Sequence, residues 1–310
     1  MKKKLNIDFL KKLKKAITHP KLVALFLLDR IVYLLPDKLY LQLKFRLRVG
    51  YWPNLQNPRT YNEKLQWLKL YDYHEEYTMM VDKVAAKDYV SSLVGDEYVI
   101  PTLGVYNTID EIDWETLPNQ FVVKSANDSG GVVVCKDKSN LDIEASIAKL
   151  KNLGGRDYTK YNKEYPYKNV PHRFIAEQYI EDESGFELKD YKFFCFDGKP
   201  KFLFVATGRQ QNDTRFDFFD TNFNHLKVLN GHDNADVQPV KPMNFDKMLE
   251  VTEKLSKNIP HVRVDLYNVN GKIYFGELTF FHWSGMVPFE PIEWDYKFGE
   301  YLKLPNHRTV

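Results

Sequence analysis

The chain has 310 residues, with 44 lysines and arginines against 42 aspartates and glutamates and a formal net charge of +2. That length allows a large core and two subdomains around one site; glycine, proline and hydrophobic contents are ordinary for a globular protein, and the aromatic share is high. Cys135 and Cys195 lie in apolar strand-like runs, which excludes a disulfide framework and fits a reducing compartment, and the eight histidines lack metal-ligand spacing.

Charge is uneven along the chain. Residues 1–50 carry about +10, so the remainder carries about −8. Lys2, Lys3, Lys4, Lys11, Lys12, Lys14 and Lys15 precede an apolar stretch from Leu22 to Leu35 that Asp29 and Arg30 interrupt. This stretch is too short and too charged to span a bilayer, and it lacks a small-residue cleavage site, so neither a transmembrane anchor nor secretion is expected. Two readings are open: a basic helix resting on an anionic membrane surface, or a helical cap packed on the main domain. No nucleic-acid motif accompanies the charge, so nucleic acid is not an expected partner. The expected location is the cytoplasm, with peripheral contact at the inner membrane face under the first reading.

Residues 5–50 read as two or three helices ending at Gly50 and the Trp52-Pro53 break. Thr60 to Glu63 spells a capping box that opens a helix through Trp67 and Leu70. Another helix is predicted from Lys83 to Leu93, stopping at Gly95, followed by short strands at Tyr98–Pro101 and Gly104–Tyr106. Phe121–Lys124 and Val132–Cys135 read as strands joined by the small-residue loop Ser125–Gly131. Backbone N–H groups of such a loop can approach phosphate oxygens while Lys124 neutralises their charge; ordinary hairpin turn chemistry is the alternative. An amphipathic helix over 140–152 precedes a tyrosine- and lysine-rich loop running to Pro171, long enough to suggest function. Strands follow at Phe174–Ile180, Asp190–Phe196 and Lys201–Ala206. Alternation sets Asp190, Lys192 and Phe194 on one face, where the charged pair is either an internal ion pair or part of a site. Arg209 and Arg215 then bracket a polar loop, and arginine suits bidentate phosphate or carboxylate binding.

After a helix near Phe245–Lys257, the run His261–Phe281 reads as a hairpin around Asn270-Gly271. A two-residue loop there would pair 264 with 277 and send Asp265 and Glu277 to opposite faces. A three-residue loop, Val269–Gly271, with Gly271 left-handed in a bulge, pairs 263 with 277 instead. That register is the expectation, because it puts Arg263, Asp265, Glu277 and Thr279 on one face. Such a face is either solvated or a hard-oxygen site for Mg²⁺.

In order, a strand–lysine–glycine loop, a strand ending Glu-Gln-Tyr-Ile, an Asp-x-Lys strand, Arg-x-Asp and Glu-x-Thr form a pattern that resembles the ATP-grasp superfamily. The segments YNEKLQWLKLYD at 61–72 and GKIYFGELTF at 271–280 extend the similarity to its TupA-like branch, which is associated with teichuronopeptide and other surface-polysaccharide gene clusters. The resemblance covers about residues 45–290. It implies an α+β fold in which two α+β subdomains clasp ATP, with a helical N-terminal extension. The corresponding division is 1–55 for the basic extension, 56–180 for the first part of the module and 181–310 for the C-terminal subdomain with the hairpin. Residue by residue, the resemblance implies that Lys124 contacts the α- and β-phosphates and that Ser129, Gly130 and Gly131 cover them. It implies that Glu177, Gln178, Tyr179 and Ile180 meet the nucleotide and that Lys192 is a second lysine beside it. It further implies that Arg263 stabilises the transferred phosphate, and that Asp265 and Glu277 bind magnesium, with Thr279 standing where many ATP-grasp enzymes carry an asparagine. Arg209 joins Arg263 and Lys192 as a candidate catalytic residue.

The implied reaction is ATP-dependent joining of a carboxylate to an amine through an acylphosphate. Its expected partners are a surface-polysaccharide precursor or oligosaccharide, with a uronic acid as candidate carboxylate, and an amino acid or amine. A transferase, either a glycosyltransferase or a kinase of a sugar hydroxyl, is the second reading. A binding or scaffold protein with a decayed ATP site is the third. Lys124, Arg263, Asp265 and Glu277 stand together in the chain, which favours an enzyme.

Overall fold

Residues 19–126, 131–153 and 157–305 are described by a computed structural model. The N-terminal lysines up to Lys15, and Ser129 and Gly130 of the small-residue loop, lie outside the described residues. Pro20, pre-set for a first helical turn, opens α1 (Pro20–Arg30), and α2 (Asp37–Val49) ends at Gly50 with φ 104°, a conformation that glycine adopts without strain. Leu28, Val32, Tyr40, Leu41 and Phe45 of this extension bury themselves with Met286, so its inner face caps the main body.

The Thr60–Glu63 capping box forms as expected and starts α3 (Tyr61–Tyr71). Glu63 also accepts from the backbone N–H groups of Asn54 and Arg59 at 2.8 Å each, tying the preceding loop to the helix start. Two more helices follow, α4 (Glu76–Val81) and α5 (Ala85–Val94). Where a strand was expected from Tyr98 to Pro101, a short 3₁₀ turn covers Asp96–Tyr98. Gly95, at φ 113°, breaks the helix and the chain becomes a strand only beyond Pro101, as β1 (Thr102–Tyr106).

A four-stranded sheet contains β1, β2 (Phe121–Ser125), β3 (Val132–Cys135) and, after α6 (Ile143–Leu153) and α7 (Tyr158–Asn162), β4 (Phe174–Gln178). Its order is β1-β4-β2-β3, with every pair antiparallel. The helix expected over 140–152 begins three residues later, because 138–140 forms a 3₁₀ turn and the Asp142 carboxylate accepts from Ala145 N at 2.8 Å. Phe121, Val123, Val133, Leu150 and Ala176 make a small core between this sheet and α6.

The larger sheet holds β5 (Asp190–Phe196), β6 (Lys199–Thr207), β7 (Arg215–Asp220), β8 (His225–Leu226) and, after α8 (Phe245–Leu255), β9 (His261–Val269) and β10 (Lys272–Thr279). Its order is β10-β9-β5-β6-β7-β8, again antiparallel throughout. One face carries α8, whose Phe245, Met248, Val251 and Leu255 recur at helical spacing toward the core. The C-terminal helix α9 (Glu293–Tyr301) brings Phe298 against Phe202, rings 4.3 Å apart and nearly parallel. Side chains of α3, α4 and α5 belong to this core and not to that of the four-stranded sheet, although the chain reaches them first.

Candidate active site

The hairpin brings its charged residues together by a route other than the expected one. Val269 pairs with Lys272, so the loop is the two-residue Asn270-Gly271, with φ 52° and 86°. Left unbroken, that register would separate Asp265 and Glu277. A bulge at Gly276 shifts it by one residue: Phe275 pairs with Leu266, but Glu277 pairs with Asp265 and Thr279 with Arg263. The expected 263–277 pairing is therefore corrected to 265–277, and the parity change sits in the strand, not in the turn. Gly276 is where backbone and ring come close, since a Cβ there would meet the Asp265 carbonyl oxygen at 3.0 Å and the Tyr267 ring at 3.3 Å.

Arg263 is the hub of this face. Its Nε and Nη2 grip the two oxygens of Asp265 at 2.7 Å each, and Nη2 also reaches Thr279 Oγ1 at 3.1 Å and Glu277 Oε1 at 3.3 Å. Lys192, on the neighbouring strand β5, is buried and ion-paired with Asp265 and, at 2.6 Å, with Asp190. Arg209 reaches the same Asp190 carboxylate at 3.0 Å. Three cations thus face three carboxylates. Burial pushes Asp265 up to about 6 even though Arg263 and Lys192 oppose the shift. Burial also works against ionisation of Glu277, but Lys192, Lys83 and Arg263 hold its carboxyl well below the usual range. Asp190 Oδ1 is buried without a hydrogen-bond partner among the described residues.

A histidine completes the arginine's shell. The Asn230 amide donates to the carbonyls of Val287 and Pro288 at 3.2 and 3.0 Å, which leaves its oxygen facing His282 Nε2 at 2.8 Å. Nε2 therefore carries the proton, and Nδ1 accepts from Arg263 Nη1 at 2.7 Å. Burial, with the Arg263 and Lys192 charges behind it, keeps this imidazole neutral. Beyond it, Trp283, Ser284 and Gly285 all take positive φ, of 48°, 58° and 59°. Gln66 Nε2 bonds the carbonyls of Ser284 and Gly285 at 3.0 Å, and Lys69 bonds Ser284 O and Oγ at 2.8 and 2.7 Å, so α3 holds the turn in this conformation.

On the four-stranded sheet, Lys124 on β2 and Glu177 on β4 form a buried pair, and Lys87 of α5 reaches the same carboxylate at 2.5 Å. Burial alone would raise Glu177, but the two lysines bring it below the usual range. Gly131 is buried, and its carbonyl accepts from Ser125 N at 2.9 Å. Gln178 is exposed, Tyr179 bonds Glu181 at 2.7 Å, and Ile180 is half-buried. Arg215 sits apart on the surface, paired with Asp213. Among the described residues, no three or more His, Cys, Asp or Glu are grouped as a metal site.

Lys87, Asn230 and His282 were not assigned from sequence. The four-residue spacing of Lys83 and Lys87 was the signal for the first; nothing near Asn230 distinguished it from a loop residue.

Comparison with known proteins adds identity to this geometry. No curated protein matches the chain. Among solved structures it is similar to D-alanine–D-alanine ligase from Bacillus anthracis complexed with ATP, at 14% identity and TM-score 0.38, over 65% of this chain and 53% of that one. It is also similar to the D-alanine–D-alanine ligase of Helicobacter pylori, at 15% identity and TM-score 0.41, over 78% of this chain and 69% of that one. The chain thus spans about half the length of the Bacillus anthracis ligase. The model of the family described as TupA-like ATPgrasp matches residues 63–303. The chain belongs to the TupA-like ATP-grasp family, with the α+β ATP-grasp fold.

Proposed function

We propose that the protein is an ATP-dependent carboxylate–amine ligase acting on a surface-polysaccharide precursor, with a uronic acid as the carboxylate that accepts the phosphoryl group and an amino acid or amine as the nucleophile of the second step. The observation that carries this reading is Arg263, a guanidinium held by Asp265, Glu277, Thr279 and His282 on one sheet face, beside Lys192. In the first step a carboxylate oxygen attacks the γ-phosphorus while the bond to the β-phosphate oxygen breaks, releasing ADP. In the second, the amine nitrogen attacks the acyl carbon, phosphate leaves and the nitrogen loses a proton. Phosphoryl transfer needs positioning and charge neutralisation more than covalent help. Arg263 and Lys192 would supply that neutralisation at the transferred group, and Lys124 and Lys87 at the other phosphates. Because His282 is neutral and its Nδ1 accepts from Arg263, it fixes the direction of the guanidinium without adding charge.

Magnesium fits the donor set. Asp265, Glu277 and Thr279 offer hard oxygens on one face, and these would hold the ion, with phosphate oxygens completing its shell. When bound it would neutralise charge on the phosphates. The protein's own part would be to orient those oxygens and to keep Arg263 directed at the reacting group.

Product analysis tests the reading. After incubation with Mg·ATP, amino acids and uronic-acid oligosaccharides, a ligase releases ADP and phosphate and joins the two substrates with loss of water. ADP with an acceptor heavier by one phosphoryl group would make it a kinase, and transfer from a nucleotide sugar without ATP use would sink the mechanism.

We also propose peripheral attachment to an anionic membrane surface. No helix among the described residues is long and apolar enough to cross a membrane. The outer face of the extension supports attachment instead: Phe26, Leu27 and Leu34 are 56%, 57% and 80% exposed, downstream of a lysine-rich segment that ends at Lys15.

A further inference from the structure

The tyrosine- and lysine-rich segment after α6 forms, with the N-terminal helices, one wall of a cavity of about 720 Å³. That volume is ample for a small ligand or for a few sugar units. Its walls are aromatic and cationic. Tyr73 and Tyr165 lie with ring centroids 4.6 Å apart, and Tyr158 and Tyr167 with centroids 5.1 Å apart. Two of its carboxylates are already engaged, since Asp37 pairs with Lys163 at 2.8 Å and Asp157 caps α7 through Lys160 N at 2.7 Å. Lys160, stacked on the Tyr33 ring at 4.5 Å, and the exposed Lys168 have no carboxylate partner among the described residues. The cavity therefore presents aromatic faces and, with Asp157 capping a helix but not ion-paired among the described residues, a net positive charge from Lys160 and Lys168.

It also adjoins the site of phosphoryl transfer. Lys69, in its lining, bonds the Ser284 turn, which follows directly on His282 and so on Arg263. Tyr165, in the same lining, meets the ring of Phe281, the residue before His282, edge-on with centroids 6.4 Å apart. A ligand filling the cavity would have one end beside the catalytic face.

We propose that this cavity receives the acceptor, an anionic saccharide bound by stacking on its tyrosines and by ion pairing with Lys160 and Lys168. The inference deepens the ligase reading above and rests on it for the direction in which the carboxylate points. Sugar faces stack on aromatic rings, and carboxylates on a flexible chain suit lysine's mobile point charge. The test is calorimetric titration of the full chain with hexagalacturonate, with maltohexaose as neutral control and a non-hydrolysable ATP analogue titrated separately. Hexagalacturonate is expected to bind, more weakly as salt rises, with maltohexaose at least tenfold weaker. Lys160→Ala with Lys168→Ala should cut hexagalacturonate affinity at least tenfold and leave the nucleotide titration unchanged. Equal binding of the two sugars, no binding of hexagalacturonate, or wild-type affinity in the double variant would overturn the assignment. Wild-type protein that binds hexagalacturonate but not the ATP analogue would instead count against the ATP reading and leave the cavity standing.

Discussion

Glu277 and Glu177 are both carboxylates held in the ionised form by lysines, but their surroundings predict opposite phenotypes. Glu277 keeps about a third of its side chain in contact with solvent and bonds Arg263 at 3.3 Å, while Asp265 grips the same guanidinium more tightly. Glu277→Gln should therefore leave the thermal midpoint within a few degrees of wild type and abolish Mg·ATP turnover, followed as ADP release; wild-type rates would remove it from the metal site. Glu177 is buried and is shared by two lysines whose side chains are themselves 10% and 15% exposed. Glu177→Gln would leave two buried ammonium groups facing each other, a loss of about 3 kcal/mol in urea unfolding without nucleotide. If Lys87 and Lys124 meet phosphates, ATP should restore more stability to this variant than to wild type. An equal ligand effect on both proteins would return the two lysines to a purely structural role.

Among the elements, the β9–β10 hairpin contains both what sequence can reveal and what it hides. Its strands, its Asn-Gly turn and its pair of carboxylates are local properties of about twenty residues, and these were legible. So were the capping box of α3, the stop at Gly50 and the run of strands from Asp190, each fixed by nearest-neighbour chemistry. The position of the bulge was not, because a glycine in a strand marks either a bulge or a plain close approach, and only the partner strand decides which. Lys87 and Asn230 stayed hidden for a related reason: their partners Glu177 and His282 lie 90 and 52 residues away. Gly276→Ala tests the bulge. A methyl 3.0 Å from the Asp265 carbonyl forces the strands apart where Glu277 crosses to Asp265's face. The expected cost is about 1–3 kcal/mol of stability, with a loss of turnover larger than that destabilisation explains. Turnover falling only in proportion to the unfolded fraction would mean that the bulge serves packing and not the site.

For the whole molecule, the N-terminal helices face two ways, and the two early readings of them are compatible. Inward, Tyr40 and Lys44 anchor the extension to the Tyr161 carbonyl, with the tyrosine hydroxyl at 2.9 Å, so the cap is part of the same body as the tyrosine-lined cavity. Outward, Leu22, Phe26 and Leu27 leave α1 apolar toward solvent, and the seven lysines from Lys2 to Lys15 precede them. Each lysine near an anionic bilayer contributes about 1 kcal/mol, and three buried apolar side chains add several more, which is enough for reversible attachment. The full chain should therefore co-sediment with vesicles containing phosphatidylserine at low salt and detach from vesicles of phosphatidylcholine alone. Phe26→Asp with Leu27→Asp should abolish sedimentation at unchanged thermal midpoint, since neither side chain is in the buried core beneath α1. Retained binding in that variant would reduce the attachment to charge alone. Absence of wild-type binding to the anionic vesicles would leave the extension as a cap and give its exposed face no membrane role.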